Sequence, residues 1–105
     1  MVNTMKKIID GKLYNTETAK KIATWSNTYG HGDFKYCEET LFKKKTGEYF
    51  LYGEGGALSK YARSCGNNSC GGNEFIPLSE NEAKEWMEIH ADADDYIAEF
   101  GEVEE

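Results

Sequence analysis

Three cysteines and one histidine are the side chains in this sequence best suited to chemistry. Cys65 and Cys70 have four residues between them, which is the loose end of the spacing used by paired ligands of structural zinc. The glycine and asparagines between them permit a tight turn that would aim both sulfurs at one point. Zinc takes four ligands, and thiolate and imidazole both suit it. The pattern therefore predicts a structural zinc site made of Cys37, Cys65, Cys70 and His31.

The same cysteines are compatible with two other states. Cys37 would be a packed strand thiol with the other two as loop thiols, or Cys65 and Cys70 would form a disulfide. Asp33 is an alternative to His31 as the fourth ligand.

No apolar run approaches the length of a membrane span, and the N-terminal lysines precede no long apolar stretch. We therefore expect a cytoplasmic protein, in which thiols and metal ligands are more usual than disulfides.

Groupings typical of catalysis are weak. A Cys–His pair needs a thiolate oriented by a neighbouring base, yet the chain has two histidines and His90 falls on the apolar face of a predicted helix. Glu38 and Glu39 are adjacent on a predicted strand, so they point to opposite faces and do not form a carboxylate pair. The glycine-rich segment 53–60 lacks the Gly-Lys-Ser/Thr ending of a phosphate-binding loop. We expect a protein that is not an enzyme.

Charge is divided unevenly along the chain. Residues 1–79 carry eleven Lys/Arg against eight Asp/Glu, a net charge of about +3, whereas residues 80–105 carry eleven acids against Lys84 alone, about −10. Four of those acids recur at i, i+3, i+7 and i+10, which is one stripe if the helix is continuous: Glu85, Glu88, Asp92 and Asp95. This stripe is either a solvated face or a binding surface for a cationic protein. In the second case its carboxylates would compete with the phosphate backbone of nucleic acid for the lysines and arginines of that protein. We expect no direct binding to nucleic acid and no membrane partner.

The elements that must position these residues begin with hairpins. Lys6–Tyr14 reads as a hairpin about an Asp-Gly turn. Residues 16–25 fit either a helix or a strand, and we favour one turn followed by a strand from about Lys20 to Ser26. The clearest hairpin joins residues 34–45 to 48–52 through Thr46-Gly47, with two apolar segments facing each other.

The second half of the chain is predicted to end in helices. The glycines at 53–56 should break the strand, residues 57–73 look irregular, and 74–76 form a short strand. Ser79 and Glu82 form a capping box that begins a helix, whose buried face comprises Ala83, Trp86, Met87 and His90. Asp92 caps a second helix that ends at Gly101.

Together these patterns predict one α+β domain over residues 1–105. A small antiparallel sheet and a cysteine-containing loop would occupy residues 1–78, with acidic α-helices at 79–105 packed against the sheet. The predicted zinc would staple the irregular loop to that sheet.

Four segments carry a resemblance that covers nearly the whole chain: 11–19 (GKLYNTETA), 37–56 (CEETLFKKKTGEYFLYGEGG), 77–86 (PLSENEAKEW) and 100–105 (FGEVEE). They resemble a group of small acidic proteins from phages and mobile elements of Gram-positive bacteria. Such chains are similar to type II-A anti-CRISPR proteins, some of which bind zinc and inhibit Cas9 by direct binding. The resemblance implies a non-enzymatic Cas9 inhibitor that blocks target-DNA loading or cleavage. The alternative is an acidic interaction module that regulates another basic, DNA-binding protein of a mobile element.

Overall fold

The computed structural model describes residues 5–27 and 33–101. Within those ranges the chain forms eight strands followed by two helices. In chain order they are β1 Lys6–Ile9, β2 Lys12–Asn15, β3 Lys20–Ser26, β4 Cys37–Lys43, β5 Tyr49–Gly55, β6 Arg63–Cys65, β7 Asn68–Cys70, β8 Gly72–Leu78, α1 Glu80–His90 and α2 Ala93–Phe100. Neither helix has the length and apolar character that a membrane span requires.

The centre of the fold is a four-stranded antiparallel sheet in the order β3-β4-β5-β8. Two small hairpins, β1-β2 and β6-β7, form separate two-stranded sheets. The two helices follow the last strand, and α1 and α2 both contact β3. The predicted α+β class, with an antiparallel sheet and C-terminal helices, is confirmed; stapling by zinc stays a prediction.

The sheet is covered on both faces because its two central strands are apolar on both sides. Leu41 pairs with Leu51, and Phe42 pairs with Phe50, so successive positions supply opposite faces. One face packs against α1 in a cluster of Leu41, Tyr49, Leu51, Ala83, Trp86 and Met87. The other face packs against the β1-β2 hairpin in a cluster of Tyr14, Phe42, Phe50 and Phe75. The N-terminal hairpin and the helices therefore sandwich the sheet.

Capping chemistry sets the ends of both helices. The Ser79 hydroxyl accepts from the Glu82 amide at 3.1 Å, and the Glu82 carboxylate accepts from the Ser79 amide at 2.9 Å, which confirms the capping box. Ala91 is extended and ends α1, and Asp92 then accepts the Asp95 amide at 2.9 Å to begin α2. Because the helix breaks at Ala91, the condition for one continuous carboxylate stripe is not met.

Several other predictions concern strand boundaries. The preference for a turn followed by a strand is confirmed, since 16–18 form a turn and β3 spans Lys20–Ser26. The expected break at 53–56 is wrong, because β5 continues through Gly55. Residues 57–73, predicted to be irregular, contain β6 and β7. The short strand at 74–76 is the middle of the longer β8.

The glycines in β5 make room for the loop that follows it. A Cβ at Gly53 would overlap the Tyr61 ring, and a Cβ at Gly55 would overlap the Ser59 side chain. The strand can therefore stay extended while residues 59–61 lie directly on its backbone. This close approach is why a glycine-rich segment serves here as strand rather than as a break.

We expect Gly53→Ala to lower the free energy of unfolding by roughly 2 kcal/mol, because the new methyl group must displace the Tyr61 ring. Urea unfolding gives the cost. The matched control is the same substitution in a Tyr61→Ala background, where the clash is gone and the cost should nearly vanish. An equal cost in both backgrounds would contradict the overlap as the cause.

Candidate functional site

A buried carboxylate organises the helix-covered face of the sheet. Glu39 lies on β4 between the inward-facing Cys37 and Leu41, and its exposed fraction is 1%. Its Oε2 accepts a hydrogen bond from the Tyr61 hydroxyl, and its Oε1 accepts one from the Trp86 indole Nε1 at 3.1 Å. One carboxylate thus joins the sheet, the loop over β5 and helix α1.

Lys60 and His90 complete the cluster. The Lys60 ammonium forms a salt bridge with Oε2 of Glu39 while 61% of its side chain remains exposed. His90 Nε2 lies 3.8 Å from Oε1 of Glu39, and its ring contacts those of Trp25 and Trp86, with centroids 4.4 and 5.2 Å away. We name the set Glu39, Lys60, Tyr61, Trp86 and His90 the Glu39 cluster.

The environment fixes the protonation states of this cluster. Burial alone would raise the pKa of Glu39, but hydrogen bonds from Lys60, Tyr61 and Trp86 outweigh it and hold that pKa below 4.5. Burial raises the pKa of Tyr61, and its hydrogen bond to Glu39 raises it further, so the phenol remains a donor. Burial also lowers the pKa of His90 below 6.5 despite the opposing charge of Glu39. At neutral pH, Glu39 is an anion beside a neutral imidazole.

This arrangement favours a structural role for the cluster. The Glu39 carboxylate is only 1% exposed and already accepts hydrogen bonds from Tyr61 and Trp86. It therefore has little capacity to bind a ligand from solvent. The neighbouring Cys37 is also buried, and burial raises its pKa above 9.0, away from a reactive thiolate.

The sequence pattern missed Glu39, although a charged residue alternating with Cys37 and Leu41 on one face was a usable signal. Lys60 and Tyr61 come from a segment with no such periodicity.

Two of the predicted zinc ligands lie together in the structure, but they are bonded to each other and not arranged around a metal site. Cys65 and Cys70 are bonded to each other as a disulfide across the β6-β7 hairpin, which is one of the alternatives that the sequence left open. Cys37 is a free, buried thiol on β4. His31 lies outside the described residues, and Asp33 is exposed and accepts from the Lys35 amide at 2.8 Å.

This sulfur arrangement does not fit a tetrahedral metal centre, because two of the three thiolates are consumed by a covalent bond. Across residues 5–27 and 33–101, no group of three or more His, Cys, Asp and Glu side chains is placed to hold a metal ion. Zinc binding would require the reduced chain. It stays a prediction.

The four predicted partner-binding carboxylates all lie on the surface. Glu85 and Glu88 are exposed on α1, Asp95 is exposed on α2, and Asp92 is exposed at the corner between the helices. None of them forms a salt bridge with a lysine or arginine of the described ranges. Glu99 differs, because its Oε2 accepts from the Tyr49 hydroxyl at 2.5 Å and from Lys43 at 3.1 Å. That contact, the Glu99 clasp, fastens α2 to the sheet.

A groove of about 460 Å³ opens where α1 meets α2. Its lining combines carboxylates from Glu88 and Asp92 with the Tyr96 ring and small or apolar side chains, namely Met87, Ala91, Ala93 and Ile97. Sequence periodicity could not reveal it, because the groove depends on the break at Ala91. It places two of the predicted partner-binding carboxylates, Glu88 and Asp92, beside one concave surface.

Comparisons with protein-family models, with curated proteins and with solved structures found no match to this chain.

We expect Glu39→Gln to lower the free energy of unfolding by about 2 kcal/mol, because an amide cannot accept at both positions and loses the charge-assisted bonds. Glu74→Gln, an exposed change on β8, is the control and should cost less than about 0.5 kcal/mol. The folded pKa of Glu39 lies below 4.5, so the unfolded chain takes up the proton first as the pH falls. The contribution of Glu39 is therefore present above pH 4.5 and is lost below it. Chemical unfolding at pH 7 and pH 3 measures this; an unchanged gap between wild type and Glu39→Gln would contradict it.

The cysteine arrangement predicts a thiol count. In denaturant without reductant we expect one reactive thiol, that of Cys37, and after reduction we expect all three. A thiol-reactive dye makes the measurement, and Cys37→Ser is the control that should reduce the first count to zero. Three thiols before reduction, together with one equivalent of zinc by metal analysis, would contradict the disulfide and establish the predicted metal site.

Proposed function

We propose that this chain is a non-enzymatic binding protein whose acidic helical end docks on a cationic surface of a nucleic-acid-handling protein. Cas9 is the partner implied by the resemblance, and the compartment is then the cytoplasm of a bacterial host. The observation that carries the proposal is the exposed acidic surface of α1 and α2, defined by Glu85, Glu88, Asp92, Asp94 and Asp95.

The treatment of carboxylates within the chain supports this role. The chain neutralises Glu39 with Lys60, and Glu99 with Lys43, where those carboxylates hold elements together. No lysine or arginine of the described ranges forms a salt bridge with the acidic surface. The one lysine on these helices, Lys84, lies with its ammonium 5.6 Å from the centre of the Phe100 ring. The charge of the acidic surface is thus left for solvent or a partner.

An acidic surface of this kind is suited to binding a partner protein that itself binds nucleic acid. Cas9 holds its guide–target heteroduplex in a positively charged channel and contacts it through the backbone. Carboxylates that enter such a channel take the lysine and arginine contacts that phosphates would make. Binding would therefore exclude DNA without any chemical step. The well-satisfied Glu39 cluster then serves to hold α1 rigidly on the sheet, so that the acidic surface is presented in a fixed geometry.

We expect the quadruple variant Glu85→Gln, Glu88→Gln, Asp92→Asn, Asp95→Asn to bind Cas9 about thirtyfold more weakly, since each exposed ion pair contributes about 0.5 kcal/mol. Asparagine preserves the cap at position 92. Pulldown against Cas9 alone, Cas9 with guide RNA, and Cas9 with guide and target DNA makes the measurement, with a DNA cleavage assay in parallel. Binding of the wild-type chain should weaken as sodium chloride is raised.

The matched control removes the same number of charges away from the helices, in Asp10→Asn, Glu17→Gln, Glu54→Gln, Glu74→Gln. If both quadruple variants lost the same affinity for Cas9, net charge alone would explain the loss. That result would contradict binding through a localised acidic surface. Absence of wild-type binding to every form of Cas9 would remove Cas9 as the partner.

A further inference from the structure

The groove at the α1–α2 corner exists because of three consecutive residues. Ala91 leaves the helix with an extended backbone, Asp92 restarts it as an N-cap, and Ala93 begins α2. The two alanines are small, so the inside of the corner stays open. The resulting groove has a volume of about 460 Å³.

The lining has two kinds of surface in one place. Ile97 supplies the accessible apolar surface, since it remains 40% exposed, whereas Met87 lies fully buried beneath the groove. Glu88 and Asp92 bring two exposed carboxylates to the same groove. Asp92 uses Oδ1 to accept the Asp95 amide, which leaves its second oxygen as an acceptor for a ligand. Tyr96 adds an aromatic ring.

From this combination we infer that the groove recognises an arginine side chain in a basic segment of the partner protein. The inference rests on the proposed function and names the feature of the partner that the acidic surface binds. The aliphatic part of the arginine would lie on Ile97. Its guanidinium would donate to Glu88 and Asp92 and stack against Tyr96.

Charge decides among the candidate occupants. Both carboxylates in the groove are exposed and would attract a bound cation. A phosphate or other anion would be repelled by them. A purely apolar segment would bury both carboxylates without partners, which is costly.

Geometry favours arginine over lysine. A guanidinium is planar, offers five N–H donors and can bridge two carboxylates, whereas an ammonium is a compact point charge. Guanidinium groups also pack over aromatic rings more often than ammonium groups do. A groove that presents two carboxylates and a tyrosine ring together matches the guanidinium in both respects.

The test uses short capped peptides and the full chain. We expect Ac-Arg-Gly-Arg-NH2 to give saturable amide shifts in the NMR spectrum for the groove residues between 87 and 97, with the citrulline peptide Ac-Cit-Gly-Cit-NH2 giving none. Citrulline keeps the shape of arginine and removes its charge. Ac-Lys-Gly-Lys-NH2 should bind several-fold more weakly than the arginine peptide.

Two charge-matched variants localise the effect. Glu88→Gln with Asp92→Asn removes both groove carboxylates and keeps the helix cap, and we expect it to weaken the arginine peptide at least about tenfold. Glu85→Gln with Asp94→Asn removes the same charge outside the groove and should change the affinity less than about threefold.

Four results would overturn the inference: no saturable response to the arginine peptide, equal response to the citrulline peptide, equal response to the lysine peptide, or equal weakening in the two double variants. Failure is separable from failure of the proposed function. A chain that binds Cas9 through its acidic helices but shows no saturable arginine-peptide shifts would keep the function and lose the groove. A chain that binds the arginine peptide in the groove but not Cas9 would keep the groove and lose that partner.

Discussion

The carboxylate of Glu39 is the point where three parts of the chain meet. It belongs to a central strand, accepts from Tyr61 in the loop over β5, and accepts from Trp86 on α1. A charge exposed by 1% is tolerated only with such partners, so the elements that supply them must all be in place before the carboxylate is satisfied. The glycines of β5 follow from the same constraint, because Tyr61 reaches Glu39 only by lying on the strand backbone.

The chain treats its acidic residues in two ways, and that division links fold to function. Glu39 and Glu99 face inward, bind lysine and tyrosine, and fasten the loop and α2 to the sheet. The carboxylates of the acidic surface face outward on elements fastened by those contacts. A rigid base under the α1 part of that surface lowers the entropy lost on binding. The inward-facing carboxylates therefore help to hold in place the helices that carry the exposed ones.

Local patterns predicted the elements well, and contacts distant in sequence explain what they missed. The capping box at Ser79, the Asp92 cap and the β4-β5 hairpin are set by neighbouring residues, so the sequence was enough. The β6-β7 hairpin and the continuation of β5 depend on packing between segments that have no shared periodicity. The Glu39 cluster draws on residues up to 51 positions apart, from Glu39 to His90, and the groove depends on one helix break. No single-segment pattern contains that information.

The Glu99 clasp also bears on how α2 moves. No residue of α2 is fully buried, and its attachment to the sheet relies on Glu99 together with partial packing of Tyr96 and Phe100. An element with so little buried apolar area opens at low free energy while the remainder stays folded. α2 is therefore the less firmly attached of the two helices. The acidic surface is thus divided between a firmly held helix and a more weakly held one, so the carboxylates of α2 can adjust slightly to a partner while those of α1 stay in place.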